Sequence, residues 1–74
     1  MRGRQRFGPI MPVIFWIYRD EEEDRWLVMV EGHVYGKYIN QQLAVLDAID
    51  LVNEARATGS TAEVWHRSNT SRVY

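Results

Sequence analysis

A run of six β-branched and aromatic residues, Val13 to Tyr18, constrains the fold of this chain more than any other feature. Such residues favour extended backbone, and an unbroken apolar run is typical of a strand that is covered on both faces. With 74 residues, the chain is long enough for one domain with a small core. The run therefore predicts a central strand in a single small domain.

Two further strands are predicted before the helical segment of the chain. The acidic run from Asp20 to Asp24 predicts a loop, because adjacent like charges repel one another and prefer solvent. Arg25 to Glu31 predicts the second strand, and Glu31-Gly32-His33 predicts a tight turn, because Gly adopts positive φ without steric cost. Val34 to Ile39 predicts the third strand, in which Gly36 marks a bulge.

The remaining residues predict one helix and one strand. Asn40 is a favourable N-cap for a helix over Gln41 to Thr58, and Gly59 suits the left-handed conformation that ends a helix. Thr61 to Arg67 predicts the last strand. Ser68 to Ser71 predicts a polar turn or a frayed tail.

The order β-β-β-α-β predicts an α+β fold, a small antiparallel or mixed sheet of three to four strands with one helix packed on one face. Residues 12–74 are expected to form this single domain. Residues 1–11 contain three arginines, two glycines and a proline without periodicity, and this composition predicts a flexible basic arm.

The predicted helix has an apolar side and an acidic side. At about 100° per residue, Asp47, Asp50 and Glu54 form an acidic ridge, next to Leu43 and Leu46. The ridge is either an ordinary solvated face or a contact surface in which two leucines are framed by carboxylates. The residues expected to pack on the sheet share the other side: Ala44, Val45, Ala48, Ile49, Leu51, Val52 and Ala55.

A second group of carboxylates, Glu21, Glu22 and Glu23, lies in the predicted acidic loop. Together with the ridge on the helix, this group would present negative charge to a basic partner surface. Some proteins mimic nucleic acid in this way. The loop and the ridge are therefore predicted to be partner-binding.

Both sides of the predicted strands are apolar, although one helix covers only one face of a sheet. In the first strand, for example, Phe15 and Ile17 alternate with Trp16 and Tyr18. A large uncovered apolar face usually marks an interface. Its occupant is a second copy of the chain, a different protein, or nucleic acid that stacks on aromatic residues. The aromatic and basic positions expected to contact a partner are Tyr35, Trp65 and Arg67.

Catalytic and metal-binding patterns are missing from the sequence. The chain has no cysteine and no Gly-rich phosphate loop, and neither His33 nor His66 has a nucleophile beside it in the sequence. We therefore expect no enzymatic activity, no cofactor and no metal. No apolar stretch is long enough to span a membrane, and the absence of cysteine is compatible with a reducing compartment, so a cytoplasmic protein without a membrane partner is expected.

Three segments carry a resemblance to a known group of proteins: the strand Arg25 to Val30, the Ala-rich helix around Ala44 to Ile49, and the strand that ends in His66-Arg67. In this combination, Arg25 to Arg72 resembles a group of small uncharacterised bacterial ββ(β)αβ domains. The resemblance implies a fold and no activity. The chain departs from the group after His66-Arg67, where Ser68 to Thr70 replaces an Asp-Gly hairpin.

The short length, the absence of cysteine and the single helix beside strands also resemble the layout of small phage-encoded anti-CRISPR proteins. This resemblance implies a phage or mobile-element inhibitor that blocks a host protein complex, sterically or through acidic mimicry, in the host cytoplasm. The first hypothesis is therefore a non-enzymatic protein-interaction module of this kind. A small nucleic-acid-binding module and a structural homodimer are the alternatives.

Overall fold

The computed structural model describes residues 12–74, and the arm predicted for residues 1–11 lies outside this range. The predicted α+β fold is confirmed, with a mixed sheet of five strands instead of three to four and one helix packed on it. The elements are β1 (Val13–Asp20), β2 (Arg25–Val30), β3 (His33–Tyr38), α1 (Gln41–Ala57), β4 (Ala62–His66) and β5 (Ser71–Arg72).

The apolar run of the sequence forms the central strand, β1, of a sheet with the order β3-β2-β1-β4-β5. β1 pairs antiparallel with β2 and parallel with β4. A parallel neighbour requires a long crossover connection, which α1 provides. The helix therefore lies across one face of the sheet.

The ends of α1 are fixed by the capping residues that the sequence predicted. The Asn40 side chain accepts a hydrogen bond of 2.9 Å from the backbone N–H of Leu43. The helix ends one residue earlier than predicted, at Ala57, and Gly59 follows with a φ of +92°. Because residues with a Cβ rarely adopt this φ, Gly59 is the residue type that this exit from the helix requires.

Small residues bring α1 close to the sheet. Ala44, Ala48 and Val52 are fully buried and lie four residues apart, so that they form one stripe along the helix. The sheet residues that complete this core come from three strands: Phe15, Ile17, Val28, Ala62 and Val64. The predicted apolar side of the helix is confirmed.

The polar turn predicted at Ser68 to Ser71 is confirmed for Ser68 to Thr70, but Ser71 belongs to a short strand, β5, and not to a frayed tail. Ser71 and Arg72 pair antiparallel with His66 and Trp65 of β4. Thr70 turns the chain with a φ of 51°, in a position where glycine is more usual. A strand of two residues has no alternation that a sequence pattern reveals.

Arg56 of the helix holds the residues that follow β5. Its Nη2 donates hydrogen bonds to the main-chain oxygens of Ala62, at 3.0 Å, and Tyr74, at 2.9 Å. The guanidinium carbon lies 4.6 Å from the centre of the Tyr74 ring, and the Tyr74 hydroxyl donates to Asn53. Long-range contacts thus position β5, which local propensity does not predict.

A bulge in β3 makes room for a side chain that joins the sheet to the helix. Val28 pairs with Gly36 and Met29 with Val34, so Tyr35 is an extra residue, and the predicted bulge at Gly36 is confirmed. A Cβ atom at Gly36 would lie 2.9 Å from Cζ of Tyr38. Tyr38 thus lies across the space that a side chain at Gly36 would fill.

We predict that Gly36→Ala destabilises the protein by about 1–3 kcal/mol, the usual cost of overpacking. In a Tyr38→Ala background the same change should be neutral or stabilising by about 0.5–1 kcal/mol, because alanine is otherwise preferred to glycine within a strand. Urea unfolding of the four proteins in this double-mutant cycle measures the difference. Equal effects in both backgrounds would contradict the account of Gly36.

Candidate functional site

The face of the sheet opposite α1, which we call the open face, carries large apolar side chains. The register places Trp16 of β1 between Met29 of β2 and Trp65 of β4. Leu27 lies on this face too, and it is only 5 % exposed although it does not belong to the helix-side core. The side chains of the open face therefore form a thin apolar layer of their own.

Trp16 is the centre of this layer. Its ring centroid lies 6.2 Å from that of Trp65, with the rings tilted by 52°. The guanidinium of Arg67 lies 5.4 Å from the centre of the Trp16 ring. Aromatic pairs in this range contribute about 0.5–1.5 kcal/mol each beyond burial, and exposed cation–π contacts about 0.5–1 kcal/mol. The three side chains hold one another in defined positions.

Shallow hollows lie on either side of Trp16. Pro12, Ile14 and Glu31 line one hollow together with Trp16. Met29, Gly32 and Arg67 border the other, again with Trp16 as a wall. The indole is thus a ridge between two depressions, a relief into which side chains of another protein can fit.

The polar groups at the border of the open face are already paired within it. The indole N–H of Trp65 donates a hydrogen bond of 2.8 Å to Oε1 of Glu63. The other carboxylate oxygen of Glu63 lies 3.5 Å from Nη1 of Arg72. Because the indole N–H of Trp65 already has an acceptor, a partner can cover this side chain without leaving a buried polar group unpaired.

The acidic loop is organised by its own hydrogen bonds and ion pairs. Oδ1 of Asp20 accepts from the backbone N–H of Glu22 at 3.1 Å and of Glu23 at 3.4 Å. Glu23 also binds Nζ of Lys37 at 2.7 Å, and this hydrogen bond raises the pKa of Lys37. At the end of the loop, the hydrogen bond from Arg19 lowers the pKa of Asp24.

Of the loop residues predicted to bind a partner, Glu21 and Glu22 are exposed and make no side-chain ion pair with any residue that the structure describes. They border a hollow that also includes Tyr18 and Ser68. Glu23 instead joins the loop to β3 through Lys37. The part of the loop that is available to a partner is therefore smaller than its sequence suggests.

The acidic ridge on α1 is interrupted at Asp47. This residue is half-buried, and its Oδ2 accepts a hydrogen bond from the Tyr38 hydroxyl. Asp50 and Glu54 are exposed, as predicted. Asp47 thus connects the helix to β3, a role that the sequence prediction of a free ridge did not include.

The predicted site residues lie on separate surfaces. The ridge and the two leucines beside it belong to α1, on one side of the sheet, whereas Trp65 and Arg67 belong to the open face on the other side. Tyr35 lies in the bulge of β3, the outer strand. One flat partner surface therefore cannot contact all of them at once.

The predicted site omitted several residues of the open face, among them Trp16 and Met29. Their exposure follows from alternation in β1 and β2, because each is next to a residue that faces the helix. What alternation does not tell is which of the two apolar sides the helix covers. The packing of α1 on the side of Phe15 and Ile17 involves residues that are distant in the sequence, so it is a tertiary property.

The part of the chain that the structure describes contains no group of three or more His, Cys, Asp or Glu side chains arranged to hold a metal ion. Within residues 12–74, α1 is also too short and too polar to qualify as a membrane-spanning helix. The surfaces with chemical character in this range are thus the open face, the acidic loop and the side of α1 next to β3.

We predict that Tyr38 ionises well above the ordinary tyrosine pKa of 10.0, because burial and then the hydrogen bond to the Asp47 carboxylate favour the neutral phenol. The folded state then holds the Tyr38 proton more tightly than the unfolded state does. The contribution of Tyr38 to the free energy of unfolding should be fully present below the unfolded pKa. It should be lost as the pH rises from the unfolded pKa to the folded pKa.

The effect of Tyr38→Phe checks this prediction in two ways. The variant should lose about 1.5–3 kcal/mol of stability near neutral pH, the usual range for a hydrogen bond to a charged group. Its ultraviolet titration should lack the latest tyrosinate step of the wild-type protein. A titration with the same last step in both proteins would show that Tyr38 is not held by Asp47.

Comparison of the chain with family models, with curated proteins and with solved structures finds no match. The resemblances to bacterial ββ(β)αβ domains and to anti-CRISPR proteins therefore stay predictions. A shared fold alone would in any case leave the function open, since unrelated functions use the same small folds. The geometry of the surfaces is accordingly the basis for assigning a function.

Proposed function

We propose that this chain is a non-enzymatic protein-interaction module that binds a partner protein through the open face. The observation that carries the proposal is the packed cluster of Trp16, Trp65 and Arg67, which no element of residues 12–74 covers. An apolar layer without a covering element is the usual mark of an interaction surface.

The residue types of the open face are those that dominate binding energy between proteins. Tryptophan, tyrosine and arginine are enriched among hot-spot residues, and methionine is enriched at interfaces in general. Here Trp16, Trp65 and Arg67 are held together before a partner arrives. Such preorganisation favours binding, because little side-chain entropy remains to be lost.

The charges around the open face indicate the chemistry of the partner. Arg67 is exposed and makes no side-chain ion pair among the described residues, whereas Arg72 is paired with Glu63 and Arg25 lies opposite Asp20. A guanidinium that stacks on a ring still presents its N–H groups to a carboxylate in its own plane. The partner surface should therefore be apolar opposite the two tryptophans and acidic where it meets Arg67.

The inhibitor hypothesis is a narrower form of the same proposal. A module of this kind blocks a host protein complex if the bound surface of the partner is one that the complex needs. Steric blocking through the open face requires no acidic mimicry. Mimicry has less support, because Asp47 and Glu23 are engaged within the protein by Tyr38 and Lys37.

A single-stranded nucleic acid is the second candidate partner, since Tyr18 is exposed on the open face, although the hollow beside it has more carboxylates than basic side chains. Sheet-based RNA-binding proteins stack bases on such residues. Two observations favour a protein instead. Trp65 and Arg67 already occupy the surroundings of the Trp16 ring, and the net charge of the chain is −1.

We predict that the charge reversal Arg67→Glu weakens capture of the partner at least about tenfold, roughly the effect expected for a hot-spot arginine. The full chain serves as bait in a lysate of the cells that produce it, with quantitative mass spectrometry and nuclease treatment. Glu54→Gln, an exposed substitution on the helix side, is the matched control. Arg67 is exposed, so thermal unfolding should show that the variant folds.

Three results would contradict the proposal. Equal capture by Arg67→Glu and wild type would remove the open face as the binding surface. Loss of the captured proteins after nuclease treatment, with steep salt dependence, would identify nucleic acid as the partner. A stable dimer of the chain in sedimentation analysis that Arg67→Glu dissociates would identify a second copy as the occupant.

A further inference from the structure

The edge of the sheet at β3 has features that the open face does not explain. Within residues 12–74, β3 is an outer strand with β2 as its one neighbour in the sheet. Its six residues, His33–Tyr38, leave backbone N–H and C=O groups along the outer side. The opposite edge, β5, has only two residues, so β3 offers the longer site for pairing.

Exposed apolar side chains gather on the helix side of this edge. Leu43 and Leu46 are 45 % and 54 % exposed, although both lie on a helix that packs against the sheet. Together with Tyr38 they line a shallow hollow between β3 and α1. Ile39, which connects the two elements, is 69 % exposed, and Tyr35 in the bulge is 55 % exposed.

Carboxylates border this hollow. Asp47 and Asp50 line it together with the apolar residues, and none of the residues that line it is basic. Lys37, the cationic residue of β3, is held by Glu23 of the acidic loop. We use the name edge groove for the outer side of β3 together with Tyr38, Leu43, Leu46, Asp47 and Asp50.

We propose that the edge groove binds an extended, basic segment of a partner protein, which adds to the sheet beside β3 as a further strand. Strand addition uses backbone hydrogen bonds for affinity and alternate side chains for specificity. An apolar side chain of the segment lies against Leu43 and Leu46, and a lysine or arginine lies against Asp50. Both point to the helix side, since residues two apart share a face.

Charge is the reason to prefer a basic segment to a second copy of this chain. Two copies paired through β3 would bring their Asp47 and Asp50 carboxylates toward the same groove, and like charges oppose such contact. A basic side chain instead neutralises Asp50, which has no partner in an ion pair among the described residues. Asp47 retains further lone pairs beside the one that accepts from Tyr38.

A displayed library of random peptides is a direct probe, with the full chain as the target. Enriched peptides should alternate apolar residues with polar ones and contain lysine or arginine. Synthetic copies should bind with amide shift changes along β3 in nuclear magnetic resonance spectra. The substitution Asp50→Lys should weaken their binding at least about tenfold, and Leu43→Ser with Leu46→Ser should do so too.

Arg67→Glu, on the open face, is the matched control and should leave peptide binding unchanged. Loss of peptide binding at the edge groove can therefore be told apart from failure of the proposed function, because only the proposed function depends on Arg67. Asp50, Leu43 and Leu46 are exposed, and circular dichroism should confirm that their variants remain folded. Asp50→Asn, which keeps the size of the side chain, should have an intermediate effect if charge is the cause.

Several outcomes would overturn the inference. The selection could enrich no peptides over a blank target, or it could enrich acidic ones. The amide shift changes could be confined to the open face, or the Asp50→Lys variant could bind the peptides as tightly as the wild-type protein. A dimer in sedimentation analysis that Leu43→Ser with Leu46→Ser dissociates would also overturn it, because the groove would then hold a second copy.

Discussion

The structure depends on the packing of one helix on a five-stranded sheet, because within residues 12–74 this helix covers only one of the two apolar faces of the sheet. Both sides of β1 are apolar, and α1 covers one of them with the stripe of Ala44, Ala48 and Val52. Among the residues that the structure describes, the other side is covered only by its own side chains, with Trp16 at the centre. Within residues 12–74 no further element closes that side, so the pair of Trp16 and Trp65 lies at the surface of this part of the chain.

Local signals predicted the elements well, because their causes lie in neighbouring residues. Asn40 caps the helix through its own side chain, and Gly59 follows it with positive φ. Gly36 marks the bulge for a related reason, since a side chain there would collide with Tyr38. Each of these effects needs a particular residue type at one position.

The features that sequence analysis missed arise from contacts between distant residues. β5 is held by pairing with β4, and Arg56 holds Tyr74 shortly after it. Asp47 has the spacing of a solvated ridge residue, yet Tyr38 reaches it from the edge strand. An uncovered apolar face was predicted, but Trp16 was not among its predicted binding residues. Which side of β1 the helix covers depends on packing between distant residues.

The two proposed surfaces would let one small domain contact two partners at the same time. The open face and the hollow of the edge groove lie on opposite sides of the sheet, and their side chains suit partners of different charge. One presents aromatic and basic side chains, and the other presents leucines and carboxylates. The edge groove is thus lined by carboxylates, whereas the open face carries Arg67 against its aromatic side chains, although the net charge is only −1.

The most direct measurement is the access of solvent to the open face in the full chain. A soluble gadolinium chelate, added to the protein during nuclear magnetic resonance measurements, relaxes nuclei according to their distance from solvent. The account predicts strong relaxation of the Met29 methyl and the Trp16 ring, and weak relaxation of the Val52 and Val64 methyls, which the helix buries. Equal protection of Met29, Trp16 and the two core valines would contradict the claim that the open face is free to bind a partner.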